Sequence, residues 1–106
     1  DAAMAKQKLA MVNWTADSND WQNRNAGKIT KTVTEYATTY TQPIIVLHDT
    51  YSSTADATSG IIEALRHKGM TLVTVSELTV NTGGLETGKV YCRGTAVNQN
   101  GFGCHN

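Results

Sequence analysis

Two short stretches concentrate the residues whose types and spacing could do chemistry: Asp17-Ser18-Asn19-Asp20-Trp21 and His48-Asp49-Thr50. A carboxylate beside an imidazole favours the charged ring and fixes its tautomer, which suits proton donation near neutral pH. On spacing alone, other readings stay open: Asp17 and Asp20 as turn caps, Trp21 as core, His48 as a strand-end residue bonded to backbone. A second reactive pair, Cys92 and Cys104, lies in a tail that also holds Gly94, Asn98, Asn100, Gly101 and Gly103. Closing that loop of about 13 residues with a disulfide would contribute about 3 kcal/mol by chain entropy, and it implies an oxidising compartment. The rival reading, a zinc site that includes His105, lacks a second ligand pair at finger spacing.

The elements that must position these residues alternate in type. Ala2, Ala5 and Leu9 share a stripe within residues 1–10, the spacing of an amphipathic helix. Met11 to Trp14 is a short apolar run that leads into the polar loop from Thr15 to Asn25. Asn25 is a fitting N-cap for a helix that carries Ile29, Val33, Tyr36, Ala37 and Tyr40 and ends near Thr39. Ile44 to Leu47 reads as a strand buried on both faces, with His48 at its C-terminal end. A helix capped by Thr54 or Asp56, striped with Ala57, Ile61, Ala64 and Leu65, should stop at Gly69. Thr71 to Val75 repeats the buried-strand pattern, and Ser76, Glu77 and Leu78 suggest one helical turn before an irregular tail.

This order predicts an α/β protein with a parallel sheet, whose chemistry gathers where strands end and loops converge. Three short strands leave edges open, so residues 1–80 read as part of a larger catalytic domain and residues 81–106 as a tail with a disulfide loop. Lys plus Arg equals Asp plus Glu at 9 each among 106 residues, which removes the positive field that nucleic acid or an anionic membrane would call for. A neutral sugar polymer suits this balance. No apolar run approaches the ~20 residues of a membrane span, and a secreted protein would have its signal peptide upstream of Asp1.

The segment Val12 to Asn25, VNWTADSNDWQNRN, resembles the fourth motif of the NodB-type polysaccharide deacetylases, carbohydrate esterase family four, where an apolar strand leads into Asp-x-x-Asp-Trp. Ile44 to Asp49, IIVLHD, is similar to the fifth motif, a strand ending in Leu-x-His, and Thr54 to Leu78 is similar to the helix and last strand that follow. The resemblance implies the C-terminal portion of a distorted (β/α) barrel, incomplete without an N-terminal piece. It also implies hydrolysis of acetyl groups on a polysaccharide: chitin, peptidoglycan or acetylated xylan. By the same resemblance, His48 is the general acid, Asp17 the carboxylate that orients it, and Trp21 and Val46 line the acetyl pocket. Trp14, Asp20 and Asp49 would hold the loops.

The family's paired Asp residues and its His-x-x-x-His motif have no counterpart in the sequence, and His48, His67 and His105 are too widely spaced for a helical ligand pair. The resemblance therefore implies a divalent metal, zinc first among candidates, bound by residues outside this chain. It implies an N-terminal fragment of the same protein as partner, an extracellular location, and an isolated fragment without activity. The alternatives are an inactive carbohydrate-binding relative and an unrelated small α/β interaction module.

Overall fold

The computed structural model describes residues 2–97, without the side chains of Met4 and Val97. Two helices form its centre. Helix α2 (Ala26–Thr39) begins where Asn25 Oδ1 accepts a hydrogen bond from the Lys28 N–H at 3.0 Å, satisfying one of the donors that an opening helix leaves unpaired. Helix α3 (Ser52–His67) ends at Gly69, whose φ of +83° is the left-handed geometry that glycine adopts without a Cβ clash. Ile29, Val33 and Ala37 of α2 bury themselves against Ala57, Ile61 and Leu65 of α3, with Ile45, Leu47 and Met70 packed at the margin. Each large side chain buried there contributes about 1.5–3 kcal/mol.

The strands are short and fall into two sheets. Strand β2 (Ala16–Asp17) pairs in parallel with β3 (Ile45–Val46), in a register that sets Asp17 beside Val46. Strand β1 (Met11–Val12) pairs in parallel with β4 (Val90–Tyr91), which pairs antiparallel with β5 (Ala96–Val97). The chain is thus a mixed α/β structure with parallel strands, as its element order predicts. A short helix α1 (Ala2–Lys6) precedes β1 and covers only half of the helical stripe expected over residues 1–10.

Three expectations are corrected. Thr71 to Val75 is not a strand: residues 71–74 lie in no ladder, and α4 (Val75–Leu78) begins behind a capping box in which Thr74 and Glu77 bond each other's backbone N–H. A strand needs a neighbour to take its hydrogen bonds, and no described segment runs beside this one to do so. Helix α3 starts behind Tyr51 with no side-chain cap, so Thr54 and Asp56 lie inside the helix, and the Thr54 hydroxyl donates to Asp20 instead. The described part of the tail is not irregular throughout, since it carries β4 and β5. The Tyr91 hydroxyl accepts from the Glu86 N–H at 2.8 Å and donates to the Gly84 carbonyl at 3.2 Å, while the Gly94 N–H reaches the Gln42 carbonyl at 3.1 Å. Cys92 is fully buried in this region; Cys104 and His105 lie outside the described residues.

Candidate active site

The β2–β3 pairing brings the two chemically loaded loops together. Beyond Asp17 the chain turns sharply: the Asn19 N–H donates to Asp17 Oδ1 at 2.9 Å, and Asn19 takes φ +54°, a conformation asparagine tolerates better than most residues. The turn carries Asp20 back across the end of β3, where it is completely buried.

His48 and Thr54 supply three of the hydrogen bonds that hold Asp20 there. Its Oδ1 lies 2.7 Å from His48 Nδ1, and its Oδ2 accepts from the His48 backbone N–H at 2.6 Å and from the Thr54 hydroxyl at 2.8 Å. Burial alone would raise the Asp20 carboxyl. The bonds from the His48 backbone, the His48 ring, Thr54 and Ser18 outweigh it and lower the pKa from 3.8 to about 2. A buried acid held as the anion beside Nδ1 fixes both the orientation and the tautomer of the ring, and leaves Nε2 for other chemistry. The imidazole side chain is 47% exposed, so that edge is open to a reactant.

This geometry corrects one assignment. The carboxylate that orients His48 is Asp20, not Asp17, whose side chain is occupied in closing the turn. The spacing Asp17-Ser18-Asn19 was itself the available signal, because an Asp two residues ahead of a turn asparagine is the usual acceptor within that turn. Thr54, read from sequence as a helix cap, is a further member of the cluster. Trp21 follows Asp20 directly and is 51% exposed; Val46 is half-buried on β3, two residues before His48. Tyr51 was missed by sequence reasoning: its ring centroid lies 6.0 Å from that of His48, and the Arg24 guanidinium carbon sits 4.3 Å from the Tyr51 centroid. Asp49 is exposed beside His48. Among the described residues no group of three His, Cys, Asp or Glu side chains is placed to hold a metal.

The proteins this chain is similar to support its assignment as a fragment of a NodB-type polysaccharide deacetylase. It is 35% identical over 83 residues to "Peptidoglycan-N-acetylglucosamine deacetylase PgdA" of Listeria monocytogenes, an alignment covering 78% of this chain and 17% of that protein. To "Peptidoglycan-N-acetylmuramic acid deacetylase PdaC" of Bacillus subtilis it is 36% identical over 78 residues, 74% of this chain and 16% of that protein. The solved structure "T48 deacetylase with substrate" superposes with a TM-score of 0.75 at 28% identity, covering 86% of this chain and 45% of that one. No family model matches the chain. The chain thus spans about a sixth of the length of these two curated relatives.

Proposed function

We propose that this chain supplies the general-acid half of a secreted, metal-dependent deacetylase acting on the N-acetyl groups of a peptidoglycan-like polysaccharide. The observation that carries the proposal is the His48–Asp20 pair, in which a buried anion orients a solvent-facing imidazole. The names of the two relatives, both peptidoglycan deacetylases, support the substrate class.

In this reading water adds to the acetyl carbonyl, the carbon–nitrogen bond breaks, and acetate leaves. His48 delivers a proton from Nε2 to the departing amine, without which the nitrogen would leave as a poor anionic group. Asp20 keeps the imidazolium aligned during that transfer, Thr54 and the His48 backbone N–H hold Asp20 in turn, and Trp21 with Val46 walls the acetyl group. Water activation and the divalent metal, zinc first among candidates, belong to residues outside this chain, contributed by an N-terminal piece of the same protein. That piece would also give residues 71–74 the strand neighbour they lack. A Cys92–Cys104 disulfide and an extracellular location complete the proposal.

The test is acetate release from an N-acetylated glycan by the complete protein, with His48→Ala alongside. Wild-type release that falls steeply in the variant supports the reading. Full activity in the variant, or no release by the wild type, sinks it.

A further inference from the structure

On the ring that neighbours the proposed acid lies a cation that the deacetylation reading does not use. Arg24 is exposed, and among the described residues no carboxylate forms an ion pair with its guanidinium. It is nonetheless held in place: its planar group lies over the Tyr51 ring at 4.3 Å, and that ring leans against His48 with an interplanar angle of 54°. A guanidinium laid on an aromatic face keeps its N–H donors free around its rim, and the stack reduces the rotamer freedom it would lose on binding a ligand. Trp21, three residues earlier on the same loop, exposes half of its surface, a platform of the kind on which a sugar ring packs.

We infer that Arg24, fixed on Tyr51 beside His48, is a subsite for a carboxylate carried by the glycan, so that the site favours acidic N-acetylated sugars over neutral ones. The inference rests on the proposed deacetylase reading for its ligand class. The fork of a guanidinium matches a carboxylate with two parallel hydrogen bonds, which an ammonium cannot reproduce. Placed at the rim rather than within the Asp20 cluster, such a contact acts on substrate affinity more than on proton transfer.

The experiment compares a carboxylate-bearing N-acetylated oligosaccharide with its methyl ester, which has the same shape and no charge. Equilibrium binding and turnover are both measured on the complete, metal-loaded protein. The acid is expected to bind about tenfold or more tightly than the ester, the scale of one charge-assisted contact. Arg24→Gln should bring that ratio close to one, mainly through KM, and Arg24→Lys should keep part of it. Equal binding of acid and ester by the wild type, which needs no variant, overturns the inference. So does an unchanged ratio in Arg24→Gln with its melting temperature preserved. Charge-dependent binding without any turnover would sustain the subsite while removing the deacetylase reading, so the two fail separately.

Discussion

The end of the β2–β3 pair and the segment from Met70 to Leu78 are built from similarly apolar stretches, yet they reach opposite states. At the first, the buried groups are tied together: Asp20 is held by His48 and Thr54, and Thr15 ties the strands by accepting from the Ile44 N–H at 3.2 Å. At the second, Leu72 and Val73 are 43% and 44% exposed in extended chain that joins no ladder, beside an open groove bordered by Pro43, Ile45, Leu65, Met70 and Leu78. The contrast separates two kinds of determinant. A turn, a cap and a buried carboxylate are satisfied by residues close at hand in the fold, whereas a buried strand is defined by its neighbours and does not form without them.

The sharpest way to break this contrast is to show that the engaged cluster does no chemistry. In the complete protein, His48→Ala should lower kcat by about 10² to 10⁴, the usual worth of a general acid, and leave metal content nearly unchanged. Loss of metal from that variant would make His48 a ligand instead. Asp20→Asn should follow with a smaller fall in kcat, since an amide cannot hold the imidazolium as an anion does. Asp17→Asn should change kcat little, because its side-chain oxygen is spent on the Asn19 N–H. A larger effect at Asp17 than at Asp20 would restore the assignment that motif spacing suggests.

The unsatisfied region gives the complementary test. Replacing Leu72 by Lys should cost the isolated chain less than about 0.5 kcal/mol, as exposed substitutions do. In the complete protein the same change should cost about 2 kcal/mol or more, the scale of burying a leucine. Denaturant unfolding of both forms measures the difference. Equal small effects would mean that residues 71–74 stay exposed in the whole molecule and that no strand neighbour is supplied.

Much of this was legible in the sequence where the determinants are local. Helix α2 begins behind its Asn25 cap and ends at Thr39 as its periodicity predicts, and Gly69 stops α3 for the reason glycine usually does. The parallel neighbours β2 and β3 and the meeting of their loops follow from alternating element types. Which of two aspartates meets the histidine does not follow from motif order alone, and its one local signal was the Asp17–Asn19 spacing that closes the turn. The described part of the tail was read as irregular, yet β4 in it pairs with β1, and the Gly94 N–H bonds the Gln42 carbonyl, through contacts distant in sequence that no local pattern shows.

The smallest expected effect concerns acid stability, and it tests whether Asp20 is as firmly held as its bonds imply. Its folded pKa of about 2 lies below the ordinary 3.8, so between those values the unfolded chain binds a proton that the folded chain does not. Stability from this group is therefore fully present above about pH 4 and is lost as the pH falls through about 2. A difference of this size corresponds to about 2 kcal/mol, spread over that narrow window. In Asp20→Asn the side chain cannot titrate, so the variant should begin less stable at neutral pH, having lost an anionic acceptor for three donors, and should lose less on acidification. Unfolding free energies of the complete protein and the variant at pH 5, 4, 3 and 2, set against each other so that every other carboxyl cancels, isolate the contribution. Curves that stay parallel down to pH 2 would mean that Asp20 titrates normally, and its bonds to His48 and Thr54 would then be weaker than their distances of 2.6 to 2.8 Å suggest.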